Sequence, residues 1–331
     1  MSRIAIVGAG AWGTALSVVL ARGSRHVVRL WAYERDVWES IENKRTNDLF
    51  LPGCSIPDAV EVTNALARAV QDAEIVLTAM PSHHARRLYT EIKQLTSSDA
   101  IIVSATKGIE NLTYKRMTEV AADVSGTSRV AALSGPSFAK EVARGDPTAL
   151  TVASIDVSVA AYIQREFTDP MFRIYTSDDV IGVELGGSLK NVIAIAAGIV
   201  EGLGFGHNTA AALITRGLAE ITRLAVACGA RRETMSGLAG MGDLVLTCTG
   251  GLSRNRTVGV ELGRGRKLPE IMAGMHGMVA EGVLTTDAAL GLARRHGIEM
   301  PITEQMQTIL HEEKSPKDAI RDLMSRPGKE E

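Results

Sequence analysis

Residues 4–21 read IAIVGAGAWGTALSVVLA, and the order of residue types in this stretch decides the fold of the first half of the chain. A short apolar run over 4–7 ends in glycines at Gly8, Gly10 and Gly13, and a helical pattern follows over 14–21. Between a strand and a helix this spacing has a mechanical meaning. Gly8 permits a tight turn, Gly10 lets the backbone approach a pyrophosphate, and Gly13 lets helix and strand pack closely. The helix N-terminus turns its free N–H groups toward an anion. The stretch predicts a dinucleotide turn, with Ala11 and Trp12 lying along the ligand.

Outward from the turn, β-branched runs at 27–31, 60–62, 75–80, 101–104 and 130–133 alternate with helical patterns, the signature of a parallel sheet wrapped by crossover helices. Runs at 149–153 and 172–176 extend that sheet. After about Ser177 strand alternation stops, and apolar residues recur at helical spacing over 180–200, 210–228, 279–294 and 306–310. Pro301 marks a first helical turn, and Gly229 and Gly297 stand where left-handed C-caps are expected. The expected architecture is an α/β N-terminal Rossmann-like domain with a parallel-rich sheet, residues 1–178, followed by an all-α C-terminal domain, residues 179–331.

A chain of 331 residues is too long for one ordinary core, which supports the two-domain expectation. The formal net charge of −2 gives no global field for nucleic acid or anionic membrane, so any anionic ligand must be held by local groups. A small-molecule partner is expected. Cys54, Cys228 and Cys248 are odd in number, far apart and form no C-x-x-C pair, so neither a disulfide framework nor a metal site is expected. The longest apolar stretch, 192–200, is about half a membrane span, and no signal-peptide pattern opens the sequence, which makes a cytoplasmic location the expectation.

Several polar residues break these patterns. Beyond the second strand, Ala32 is neutral, while Tyr33, Glu34 and Arg35 offer both an acid suited to an NAD ribose and a base suited to the 2′-phosphate of NADP. The cofactor, NAD or NADP, stays open. Thr106-Lys107-Gly108 follows a strand, where ligand crevices of open parallel sheets lie. In Ser134-Gly135-Pro136-Ser137-Phe138-Ala139, Pro136 suits a first helical turn and the hydroxyls could cap it or meet a phosphate. Lys190-Asn191 lies inside an apolar helical run, where a charge is costly without a partner. Burial lowers a lysine pKa toward the range useful for proton exchange; the alternative is a side chain that snorkels to solvent. Asp243 and Thr247, four apart, share a face if helical; Asp243 could pair with Lys190 or serve as an N-cap. Ser253-Arg254-Asn255-Arg256 gathers donors near a helix start, a candidate phosphate seat in which either arginine could bind bidentately. His83-His84 and His207 read as structural or rim histidines.

Taken together, Gly8–Leu16, Thr106–Gly108, Ser134–Ala139, Leu185–Asn191, Gly242–Leu244 and Ser253–Arg256 resemble the bacterial NAD(P)-dependent glycerol-3-phosphate dehydrogenases in order and approximate spacing. The resemblance implies reversible hydride transfer between a nicotinamide and carbon 2 of sn-glycerol 3-phosphate or dihydroxyacetone phosphate, supplying the glycerol backbone of phospholipids. It implies Lys190 as the proton donor and acceptor, with Asp243 beside it, Lys107 helping to bind substrate, and Asn191 and Thr247 in support. Gly135, Ser137, Ser253, Arg254 and Asn255 would contact substrate. The resemblance places Ala11, Trp12, Tyr33, Lys107, Ala139, Arg254, Val279 and Glu281 along the cofactor; with Gly8, Gly10 and Gly13, expected from the turn, and Arg35, expected from its place beyond the second strand, they complete the expected cofactor site, and a homodimer is implied. Tyr33 departs from the family, which often carries histidine or arginine there; this weakens the case for strong NADP preference. The rival is a β-hydroxyacid dehydrogenase of similar build, whose substrates carry a carboxylate in place of the glycerol phosphate.

Overall fold

The computed structural model describes residues 1–275, 279–328 and 330. Its strands are β1 (Ser2–Val7), β2 (His26–Trp31), β3 (Thr46–Asn47), β4 (Leu51–Ser55), β5 (Val60–Thr63), β6 (Ile75–Thr78), β7 (Ile101–Ser104), β8 (Val130–Ser134), β9 (Thr148–Ala153) and β10 (Phe172–Ser177). Eight of them form one sheet in the order β10-β9-β8-β7-β6-β1-β2-β5. Every pairing in it is parallel except β8 with β9. All four residues of β6 and of β7 are buried, as expected for strands covered on both faces.

From β1 the chain runs to β2 and β5 on one side and to β6, β7 and β8 on the other. The order therefore reverses between β1 and β6, and a crevice opens beyond the carboxyl ends of strands at such a point. Those ends are Val7, which leads into Gly8, and Thr78, which leads into Ala79. The strand expected to reach Met80 stops at Thr78, because Ala79 and Met80 turn beneath Gly8 and Pro81 brings no backbone donor. The small antiparallel pair β3–β4 has no counterpart in the sequence pattern; its second strand contains Pro52 and Gly53.

The second half is helical. A core helix, Val180–Gly202, is packed by His207–Ala227, Asp243–Thr249, Arg254–Gly263, Glu281–His296 and Pro301–His311. The core helix is long and apolar enough to cross a membrane, with mean hydropathy 1.5 over its most apolar window, but 94% of that window is buried inside the protein. Helices that are apolar all round and enclosed by others are cores. Gly198 and Gly259 allow a close crossing: a Cβ at Gly198 would lie 2.0 Å from the Arg256 carbonyl oxygen, and one at Gly259 2.0 Å from that of Ile195. The crossing seats the start of Arg254–Gly263 close to the middle of the core helix.

Two local readings need correction. Ser134–Ala139 does not open a helix at Pro136: the helix starts at Ala139, capped by Phe138, with no side-chain cap bond among the described residues. Gly135 at φ +142° diverts the chain first, and the Ser137 hydroxyl donates to the Gly135 carbonyl instead of capping. Asp243 is not an N-cap either. A π-helical turn, Leu238–Gly242, runs directly into Asp243–Thr249, and Gly242 occupies the cap position. The carboxylate is left free for other partners.

Candidate active site

The crevice at the strand-order reversal is a cavity of about 500 Å³ lined from both halves of the chain. Its first wall is the glycine turn. Gly8 holds φ +114°, and a Cβ there would lie 2.8 Å from the Ala79 carbonyl oxygen. At Gly13 a Cβ would lie 1.8 Å from the Gly8 carbonyl oxygen, so this glycine sets the contact between strand and helix. A Cβ at Gly10, in contrast, would meet no described atom within 4 Å and would point into open space. Gly10 caps the ten-residue helix Ala11–Leu20 without a side-chain bond, leaving first-turn N–H groups for an anion. The buried Trp12 Nε1 has no partner among the described residues. An uncapped helix start, a cradle that a Cβ would fill and an orphaned donor fit a dinucleotide pyrophosphate.

Asn47 locks this turn and went unnoticed in the sequence. Its Nδ2 donates to the Ala9 carbonyl at 2.8 Å and to Thr14 Oγ1 at 2.9 Å, and its Oδ1 accepts from the Phe50 N–H, which brings Phe50 to the cavity wall. Nothing local in residues 44–50 announces that role.

At the opposite wall Lys190 is buried, with no route to snorkel. Its Nζ donates to Asp243 Oδ1, and to Thr247 Oγ1 at 2.6 Å. The Thr247 hydroxyl donates in turn to the Asp243 carbonyl at 2.6 Å, so it presents a lone pair to the lysine. Lys107 Nζ reaches Asp243 Oδ2 at 2.6 Å and the Gly135 carbonyl at 3.3 Å. Burial pulls the Lys190 pKa down to about 7; Asp243 opposes that shift and the nearby Lys107 charge adds to it. Asp243 itself is fully buried and does not line the cavity; its carboxylate meets the cavity only through the two lysines bonded to it.

Ser253 caps Arg254–Gly263, its Oγ accepting from the Arg256 N–H at 3.2 Å. Arg254 faces the cavity and donates no hydrogen bond among the described residues. Its surface is open to the cavity while protein surrounds it, and that desolvation holds its pKa below the ordinary value, with Glu281 opposing. Arg256 turns to Glu201 and takes no part in the cavity, which leaves Arg254 as the arginine of this segment that faces it. Asn255 spends both polar atoms internally: Nδ2 donates to Asn191 Oδ1 at 3.0 Å and Oδ1 accepts from the Gly282 N–H at 2.9 Å. It fixes Asn191, which lines the cavity.

Ser137, Ala139, Val279 and Glu281 also line the cavity, and Gly135 meets it through its carbonyl bond to Lys107. The Glu281 carboxylate accepts from the Ser82 N–H at 3.0 Å and from Ser82 Oγ at 2.6 Å, a tie between the two halves that no sequence pattern indicated. Burial raises its pKa. Beyond β2, Tyr33 and Glu34 line the cavity but Arg35 does not: it lies on the outer face of Arg35–Lys44 and pairs with Glu39 one turn on. Arg35 is therefore removed from the cofactor wall. His83 and His84 do stand at the rim, while His207 begins a separate helix.

Known proteins resemble both halves of the chain. Residues 3–160 match the family model described as NAD-dependent glycerol-3-phosphate dehydrogenase N-terminus, and residues 179–321 match the one described as its C-terminus. The chain is 67% identical over 331 residues to a glycerol-3-phosphate dehydrogenase (NAD(P)+) of Koribacter versatilis, covering 99% of this chain and 98% of that protein. It is 57% identical over 339 residues to one of Acidobacterium capsulatum, with 100% of each covered. A crystal structure of glycerol-3-phosphate dehydrogenase from Coxiella burnetii superposes with a TM-score of 0.94 at 42% identity, covering 98% of this chain and 99% of that one. Agreement of this extent, in sequence and in backbone shape and over both halves, makes the chain a member of the NAD-dependent glycerol-3-phosphate dehydrogenase family of oxidoreductases.

Proposed function

We propose that the chain interconverts dihydroxyacetone phosphate and sn-glycerol 3-phosphate with NAD or NADP as hydride partner, feeding the glycerol backbone into phospholipids. One observation carries the reading: a buried lysine, Lys190, lines the same cavity as an uncapped glycine turn and an arginine, Arg254, that has no hydrogen bond among the described residues. When bound, the nicotinamide supplies or takes the hydride at carbon 2.

The chain's own groups handle the proton and the charges. A charged Nζ of Lys190 carries three protons, two of them directed at Asp243 and Thr247. The third is the one available to the oxygen on carbon 2 during ketone reduction; once it is lost, a lone pair stands in its place to accept the alcohol proton in reverse. Lys107 adds positive charge where the alkoxide develops. Asn191, with its Oδ1 engaged by Asn255, keeps its Nδ2 for a substrate oxygen. Arg254 and the Ser253-capped helix start hold the phosphate, with Ser137 on the adjoining wall. Asp243, Thr247, Asn255 and Gly135 are positioning groups. Ala11, Trp12, Tyr33, Ala139, Val279 and Glu281 flank the dinucleotide.

In this reading residues 1–178 form the dinucleotide domain and 179–331 the domain that binds substrate and moves the proton. The chain works as a cytoplasmic homodimer. Residues 193–200 are buried within the subunit, whereas Phe205 is 47% exposed and Leu213, Ile214 and Leu218 are half-buried, which supports pairing through that second surface. Oxidation of NADH and NADPH with dihydroxyacetone phosphate, set against a panel of 2-ketoacids, tests the reaction. Turnover of the triose phosphate is expected, and turnover of the ketoacids alone would overturn it.

A further inference from the structure

At the outer end of the cavity the end of β2 lies against the glycine turn, with the Gly8 N–H donating to the Trp31 carbonyl at 3.2 Å. Three residues further on, Glu34 lines the cavity. It occupies the cap position of Arg35–Lys44 in extended backbone, yet its side chain makes no cap bond, and its carboxylate accepts no hydrogen bond among the described residues. Arg35, the residue that could have held a phosphate here, faces outward to Glu39 at 2.7 Å. We propose that Glu34 makes this cavity select NADH over NADPH, reading the adenosine ribose through its 2′-hydroxyl. The proposal rests on the dinucleotide reading given above.

A carboxylate beyond the second strand accepts a bond from a ribose 2′-hydroxyl, and it repels a 2′-phosphate, which carries close to two negative charges at neutral pH. The neighbouring groups do not reverse that balance. Burial lowers the pKa values of His83 and His84, so both imidazoles are mostly neutral at pH 7. Arg87 lines the same end, but its Nη1 donates to Glu91 Oε1 at 3.0 Å, so that cation comes with its own anion. Tyr33, edge-on to Trp31 with ring centroids 5.8 Å apart, brings no charge. Among the described residues the wall therefore offers the ribose one unpaired charge, and it is negative.

The test is titration calorimetry of the whole chain with NADH and NADPH, and with 5′-AMP and adenosine 2′,5′-bisphosphate as probes without a nicotinamide. The unaltered chain should bind NADH about tenfold or more tighter than NADPH, and 5′-AMP tighter than the bisphosphate. Glu34→Gln, which keeps an acceptor and removes the charge, should narrow both ratios mainly by improving the phosphorylated ligand; Glu34→Arg should invert them. Equal or tighter NADPH binding by the unaltered chain, or ratios that Glu34→Gln leaves unmoved while Arg87→Ala changes them, would overturn the proposal. Failure to turn over dihydroxyacetone phosphate with either cofactor would instead defeat the reaction assigned above, and the binding ratios would still judge Glu34.

Discussion

Lys107 and Lys190 share a single carboxylate, each through a different oxygen of Asp243. One buried negative charge thus serves two cations, and in the proposed reaction the surplus positive charge faces the anionic substrate and the developing alkoxide. Burial draws the pKa of Lys190, the more deeply buried of the pair, down to about 7, and Asp243 keeps it from falling further.

The sign of the pH dependence follows. A proton donor must be charged, so ketone reduction should run fully below pH 7 and decline as pH rises through about 7, while alcohol oxidation, which needs the neutral amine, should rise over the same interval. In Asp243→Asn the supporting charge is gone, the Lys190 pKa drops, and both limbs should move to lower pH, with kcat for reduction at pH 7 falling about 100-fold. Profiles of kcat against pH in both directions check this; limbs that stay in place would dissociate Asp243 from Lys190.

Gly10 and Gly13 should separate binding from folding. Gly10→Ala adds a methyl that touches no described atom, so stability should change by less than about 1 kcal/mol while the cofactor Kd rises about tenfold or more. Gly13→Ala drives a methyl into the Gly8 carbonyl and should destabilise the fold by about 1–3 kcal/mol as well as abolish binding. Urea denaturation beside cofactor titration would reveal the contrast.

Arg254→Ala removes the cavity-facing guanidinium proposed to hold the phosphate. A charge-assisted bond of about 1.5–3 kcal/mol corresponds to a KM for the phosphate substrate about 10- to 150-fold higher, with a smaller change in kcat. Steady-state kinetics at saturating cofactor suffice, and an unchanged KM would move the phosphate elsewhere.

Ser82→Ala removes one of the two bonds that tie the half-buried Glu281 carboxylate across the halves. Leaving that oxygen short of a donor should lower stability by about 1–3 kcal/mol in urea denaturation. Retained stability would mean that water or another donor takes over the bond.

What the sequence made legible was local in the chain. The strand–turn–helix around Gly8, Gly10 and Gly13 lies within about twenty residues, and Lys190 stood out because a charge interrupts an apolar helix. Asp243 stayed ambiguous because its lysine partner is 53 residues away and the π-helical turn that frees its carboxylate has no sequence signature. Asn47 and Ser82 were invisible for the same reason, since their partners are up to 38 and 199 residues distant. Arg35 was misjudged because its direction depends on where the helix after β2 begins, and Pro136 because its preset φ could not reveal that Gly135 turns the chain first.

The central claim is that Lys190 moves the proton, and the direct measurement is kcat of Lys190→Ala with dihydroxyacetone phosphate, taken beside the cofactor Kd of the same sample. Loss of a positioned acid should lower kcat by about 100- to 10,000-fold while the Kd stays within about threefold of the unaltered chain. A kcat near that of the unaltered chain, with the variant folded and loaded with cofactor, would contradict the account.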